Sequence, residues 1–292
     1  MNKLAIPKFD ETDLSNLLDA NVKIVNRFDG GSFSSNYVLD IDDSLYFFKY
    51  LPPQEHVPSK EQQRIIQLFS KDLLPYSYRR EFTKRTSEDQ ISLEFSVIKN
   101  WNSEQIPAPK MVSSDKKSYL LETYYPGSTS LAEYLENNTY SSRLHNSVMD
   151  TLQLLHDQKC KHDHLYLHND LHPENLLYSP EEHKVLAIDP GLLYKETLPF
   201  EDLSAYFDLF FLYSLQEKKY ISPKTDLIAR EYVSLLETHE KERMLGLNHF
   251  ISDDNYKTLS SFASDEVASW WDMFTHKNFH KINSYLKGID HD

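Results

Sequence analysis

Four polar residues in one short segment carry the strongest chemical signal. In LYLHNDLHPENLLYSPEEHKVLAIDPG, residues 165–191, His168, Asp170 and Asn175 share a loop, and Asp189 follows at the end of the apolar run VLAI. Phosphoryl transfer asks little covalent chemistry of a protein. It needs a carboxylate to orient the attacking hydroxyl and oxygen ligands for the magnesium that bridges the ATP phosphates. Asp170 fits the first role, and Asn175 and Asp189 fit the second. The five-residue step from Asp170 to Asn175 lets one loop present a carboxylate and an amide oxygen, and Asp189 stands 14 residues further on. A lone His-x-Asp arises by chance in any long chain, whereas the joint H-x-D-x-x-x-x-N pattern with a later Asp at a strand end is far rarer. A second chemistry is open in the same segment, because His162, His164, His168 and His172 crowd together and imidazole is a common zinc ligand.

The elements that must position these residues follow in a definite order. VKIVNRF, then DGGSFSSN, then YVLDIDDSLYFFKYL read as strand, turn and strand over residues 22–50. Two of only six glycines, Gly30 and Gly31, sit together in that turn, which implies either unusual backbone angles with close approach or a plain hairpin. A helix signal in SKEQQRIIQLF, with Ser59 and Gln62 at capping-box spacing, lies in a polar stretch. A second helix is expected from Ile91 to about Trp101, ending before the prolines of IPAPK. Strand patterning returns in KMVSS and KSYLLETYY, closed by a turn at Pro126-Gly127. Beyond it, Leu144, Val148, Leu152 and Leu155 mark one apolar face of a helix, and LSAYFDLFFLYSLQ is another apolar helical segment. A strand-rich first portion before a helix-rich second is the α+β order.

Composition narrows the classes. A chain of 292 residues with 40% hydrophobic and 13% aromatic content can bury a large core. Its formal charge of -14, from 31 basic and 45 acidic residues, argues against a nucleic-acid partner. The single cysteine, Cys160, excludes an intrachain disulfide and a cysteine zinc cluster, which fits a reducing cytoplasm. The opening MNKLAIPKFDETDL has too short an apolar run for a signal peptide, and no stretch approaches the ~18 apolar residues of a membrane span. A cytoplasmic protein is expected. No feature of the sequence specifies an oligomeric state.

HNDLHPENLL with AIDPG resembles the catalytic and metal-binding loops of the aminoglycoside phosphotransferase and choline kinase family. That resemblance, extending over roughly residues 22–215, implies a two-lobed protein-kinase-like fold. An N-terminal sheet lobe with a helix would span 1–125, with an insertion at about 52–90, and a larger helical C-terminal lobe would span 126–292 and carry the catalytic loop and acceptor site. It further implies ATP and Mg²⁺ as cofactors. Gly30, Gly31 and Ser32 resemble the phosphate-covering loop, although GGSFSSN is not G-x-G-x-x-G. Lys49 in LYFFKY matches the third-strand lysine that holds phosphates, and Glu94 its ion-pair partner, with Glu81 and Glu61 as competitors. YLLETYYPG resembles the hinge, so the backbone of Glu122, Thr123 and Tyr124 is expected at the adenine edge. PFEDLSAYF resembles the segment in which an Asp opens a helix behind the catalytic loop, making Asp202 structural, while His168 braces the loop.

The chain departs from the family pattern after Asp189, where Pro-Gly stands in place of Phe-Gly or a Trp-Glu type ending. No Ala-Pro-Glu follows, and Asp202 comes 13 residues after Asp189, which leaves no room for a long activation loop. The resemblance therefore implies transfer to a hydroxyl of a small molecule, an amino sugar, aminoalcohol or sugar. A protein or lipopolysaccharide sugar as acceptor, a non-catalytic pseudokinase module, and a zinc hydrolase built on the histidines are the alternatives.

Overall fold

The computed structural model describes residues 7–28, 34–53, 55–56, 85–136, 140–159, 161, 168, 170–190, 200–216, 222–250 and 276–288. They divide into two compact units, one containing the described residues up to Ser128 and the other those from Thr129 onward. Gly30, Gly31, Ser32, the Ser59–Gln62 helix signal, Glu61, Glu81, His162 and His164 fall outside the described residues.

The first unit opens with α1 (Glu11–Leu18), whose cap Asp10 accepts the Asp13 amide at 2.8 Å and has its own amide bound by the Asp13 side chain. Three strands follow, β1 (Val22–Phe28), β2 (Ser35–Ile41) and β3 (Ser44–Tyr50). The run YVLDIDDSLYFFKYL is thus two strands and not one. Asp42 and Asp43 turn the chain with φ of 51° and 61°, and Ile41 pairs with Ser44 across them. Two successive positive φ values are the signature of the type I′ hairpin turn, whose twist matches that of the strands it joins.

Short β4 (Glu55–His56) and β5 (Arg85–Thr86) pair with each other. They lead into α2 (Ser87–Ser103), which begins four residues earlier than the apolar pattern suggests. The reason is a reciprocal capping box: the Thr86 hydroxyl accepts the Asp89 amide at 3.1 Å while the Asp89 carboxylate takes the Thr86 amide at 3.0 Å. β6 (Met111–Ser114) and β7 (Tyr119–Thr123) complete an antiparallel sheet in the order β1-β2-β3-β7-β6. The alternation of side chains gives the sheet two faces. Leu14, Val22, Tyr37, Leu39, Phe48 and Leu121 form one core, while Leu51 and Leu120 pack with Ile91 of α2 in another. At the end of the unit the Ser128 amide reaches the Tyr125 carbonyl at 3.2 Å, with Pro126 and Gly127 between them and Gly127 at φ 67°. Proline followed by a positive-φ glycine is the type II pattern.

The second unit begins with β8 (Thr129–Ser130), α3 (Leu131–Glu136) and the long α4 (Ser142–Lys159). Leu144, Val148, Leu152 and Leu155 are all buried on α4, as their spacing predicts. A 3₁₀ turn, Pro173–Asn175, precedes β9 (Leu176–Ser179) and β10 (Lys184–Ala187), which pair as a hairpin against β8. The helices α5 (Phe200–Leu215), α6 (Pro223–Leu235), α7 (Thr238–Phe250) and α8 (His276–Leu286) supply the remainder. Two side chains on α4 fasten it to the outer strand of that hairpin. The Ser147 hydroxyl accepts the Val185 amide at 2.7 Å, and the Thr151 hydroxyl donates to the Val185 carbonyl at 2.7 Å. One sheet-bearing unit and one mainly helical unit make the chain α+β. No helix among the described residues is long and apolar enough to cross a membrane.

Candidate active site

In the sheet unit, strand alternation decides where Lys49 goes. Phe48 enters the α1 core, so its neighbour Lys49, which pairs with Leu120, lies on the face that α2 covers. Ile91 and Glu94 are one helical turn apart on α2, and both are buried. Leu120 packs on Ile91, and Lys49 Nζ donates to both Glu94 carboxylate oxygens at 2.9 Å. Lys49 and Glu94 are 8% and 4% exposed, so each charge relies on the other. Residues 45 positions apart are thereby joined.

At the expected hinge, Glu122 and Thr123 are the last residues of β7, and Glu122 is buried. The Thr123 amide donates to the Lys110 carbonyl at 3.0 Å and the Tyr124 amide to the Leu45 carbonyl at 3.2 Å. Both amides are engaged in the unit's own hydrogen bonds, so a base meeting this segment would need a donor other than these two.

In the helical unit, the residues of the expected catalytic loop are tied together through Ile188. The Ile188 amide donates to the Asn175 carbonyl, and the Ile188 carbonyl accepts from His168 Nε2, each at 3.0 Å. The other ring nitrogen of His168, Nδ1, accepts the Asp170 amide at 3.4 Å. This pattern requires the neutral Nε2–H tautomer. Burial of the ring pushes the His168 pKa down to about 4, although the Asp170 carboxylate favours the cation. His168 therefore serves as a neutral two-sided brace at pH 7.

The same loop orients Asn175. Its Nδ2 donates to the Asp170 carbonyl at 2.9 Å and lies 3.4 Å from the Asp170 carboxylate, which leaves Oδ1 as the opposite end of the amide. Asn175 is buried, whereas the Asp170 side chain is half exposed. Asp189 is exposed and adopts φ 52°, two residues beyond β10. A left-handed aspartate is uncommon outside turns and functional loops. It is held there because β10 is fastened to α4 and Ile188 to the loop.

Hard oxygen donors from Asn175 and Asp189 suit a magnesium ion, which takes one or two protein oxygens and keeps its remaining ligands from water and phosphate. The zinc reading fares less well at the two described histidines. Both ring nitrogens of His168 are engaged, and His172 Nδ1 accepts the Glu174 amide at 3.3 Å while Nε2 lies 3.7 Å from the Asp170 carboxylate. Among the described residues, no group of three or more His, Cys, Asp or Glu side chains is arranged to hold a metal ion. Asp202 lies in the first turn of α5, past the helix start at Phe200, so it does not occupy the cap position; its side chain is outside the described residues.

Sequence reading missed a second group of charges in this unit. Lys159 continues the buried stripe of α4, one turn past Leu155, and Asp208 sits inside the apolar run of α5. A charge in the buried phase of an apolar helix is the signal that would have revealed both.

No family model matches the chain, and no curated protein does. Among solved structures it is similar to the MAP kinase LmaMPK10 from Leishmania major, with 10% sequence identity, a TM-score of 0.43, and coverage of 94% of this chain and 80% of that one. The likeness to the aminoglycoside phosphotransferase and choline kinase family accordingly rests on the motifs themselves.

Proposed function

We propose that this protein is an ATP- and Mg²⁺-dependent kinase that transfers the γ-phosphoryl group to a hydroxyl of a small molecule. The observation that carries this reading is the loop in which Asp170, Asn175 and the residue before Asp189 are joined by the His168 and Ile188 hydrogen bonds. The buried Lys49–Glu94 pair supports it independently, because neither a zinc site nor a simple sheet core needs that pair.

When bound, magnesium neutralises charge on the phosphate oxygens and orients them for transfer. Asn175 Oδ1 and the Asp189 carboxylate are the groups that would hold it. Lys49, held by Glu94, supplies a fixed positive charge for phosphate oxygens. Asp170, with its carboxylate half exposed, accepts a hydrogen bond from the acceptor hydroxyl, orients the oxygen, and takes the proton as the new bond forms. Neutral His168 moves no proton and only holds the Asp170 backbone. The short interval from Asp189 to Asp202 favours a small acceptor over a protein bound along an extended activation segment.

The test is phosphate transfer from Mg·ATP to a panel of aminoglycosides, aminoalcohols, sugars and a generic protein, comparing wild type with Asp189→Ala. Transfer to one acceptor class that is lost in the variant is expected. Equal transfer by both proteins would remove Asp189 from the metal site, and zinc-dependent hydrolysis without transfer would replace the kinase reading.

A further inference from the structure

Four helices of the second unit converge on a buried polar lattice that the catalytic reading leaves without a role. Lys159, the last residue of α4, donates to Asp208 Oδ2 of α5 at 2.7 Å and lies 3.1 Å from Glu240 Oε1 of α7. The Tyr232 hydroxyl of α6 donates to the other Asp208 oxygen at 2.6 Å. His156, one turn before Lys159, places Nε2 3.1 Å from the other Glu240 oxygen. Lys159 and Asp208 are each 5% exposed. Burial alone would lower the pKa of Lys159, but the Asp208 and Glu240 carboxylates outweigh it and hold the ammonium above its ordinary value. Burial would raise the Glu240 carboxyl, yet the His156 hydrogen bond and the Lys159 charge bring it down to about 2. The lattice is charged and closely paired.

An apolar contact would serve stability here equally well, since buried ion pairs recover little more than their desolvation cost. What the polar lattice adds is uniqueness, because helices in apolar contact can slide past one another, whereas five directional partners fit in one arrangement. Its location gives that uniqueness a use. A small cavity is lined by Lys159, Asp208, His156 and Tyr232 together with His168 and Leu171 of the catalytic loop. The side chains that join the helices and the His168 that braces Asp170 therefore line one cavity.

We propose that Lys159 is a positioning residue for the catalytic loop, acting through its bonds to Asp208 and Glu240 on the packing of His168 and Leu171. The functional part of this inference rests on the kinase reading above. The structural part does not. Lys159 touches no reacting group, and its effect passes through the orientation of Asp170.

The experiment compares wild type, Lys159→Met and Lys159→Arg by hydrogen–deuterium exchange and by steady-state kinetics with Mg·ATP. In Lys159→Met, exchange of the segment 168–176 should rise about tenfold or more while peptides of the sheet unit stay unchanged. The kcat should fall about tenfold to a hundredfold with KM for ATP within about twofold of wild type. Lys159→Arg should restore both in large part. If Lys159→Met does not fold, the double variant Lys159→Met/Asp208→Leu removes both charges together and should show the same loop exchange. Unchanged loop exchange, or a uniform rise across the whole helical unit, would overturn the positioning role. Selective loop exchange in a protein that transfers phosphate to nothing would uphold the positioning role and reject the kinase reading.

Discussion

At the scale of single residues, the account turns on protonation and charge pairing. His168 is neutral in the folded chain with a pKa of about 4, below the 6.5 of a free imidazole. Between those values the unfolded state binds the extra proton, so stability rises with pH across the window. The contribution is complete above about pH 6.5 and is lost as pH falls toward 4. Its ceiling is about 3 kcal/mol. Urea melts at pH 7 and pH 4.5 should show a loss on acidification that is reduced in a folded His168→Gln variant; an identical loss in both would assign the acid sensitivity elsewhere. For Lys49 and Glu94, truncating one partner strands the other charge in the sheet core. Lys49→Met is expected to destabilise by about 3 kcal/mol, and Lys49→Met/Glu94→Leu to recover most of that, as judged by chemical denaturation. Additive losses in the double variant would mean that the two charges do not rely on each other. The candidate loop residues stood out in the sequence because their spacing, set by the chemistry they would do, survives in one short segment, and Lys49 stood out through its resemblance to the family's third-strand lysine. Lys159 and Asp208 were overlooked although each is a charge in the buried phase of an apolar helix; what the sequence does not carry is their pairing across 49 positions, which exists only once the helices pack.

At the scale of elements, local rules account for the boundaries that apolar patterning missed. The start of α2 belongs to Thr86 and Asp89, which lie outside the apolar stripe and so left no trace in it. Thr86→Ala should cost about 1 kcal/mol in a denaturation experiment. Because α2 carries Glu94, the same variant should weaken nucleotide binding, and unchanged stability would show that the cap is idle. The β2–β3 turn was hidden because Asp-Asp is a weaker turn signal than Asn-Gly between runs of strand formers. Asp43 holds a φ of 61° that a side chain resists, so Asp43→Gly is predicted to stabilise the chain by about 0.5 to 1 kcal/mol, read as a higher denaturation midpoint. A lower midpoint would mean that the Asp43 side chain contributes more than its backbone costs. The helix α4 was readable in advance because it has a single apolar face, which periodicity reports directly, whereas the strands around Lys49, buried on both faces, were read from their wealth of strand formers and so merged into one run.

At the scale of the whole molecule, the residues named in the proposal are divided between the two compact units. Lys49 and Glu94 belong to the first, and Asp170, Asn175 and Asp189 to the second. Substitutions should separate accordingly: those at Lys49 and Glu94 acting chiefly on ATP affinity, and those at Asp170 on turnover. The strand-then-helix order that suggested an α+β chain is the order found, because it follows from composition along the sequence and needs no long-range pairing to be seen. The most direct test of the central claim is Mg·ATP turnover with the best acceptor of the panel, wild type beside Asp170→Asn, with nucleotide affinity measured on both by calorimetry. The predicted result is a loss of about a thousandfold in kcat, or about 4 kcal/mol of transition-state stabilisation, at nearly unchanged affinity. Full turnover in a verified Asp170→Asn preparation would contradict the account.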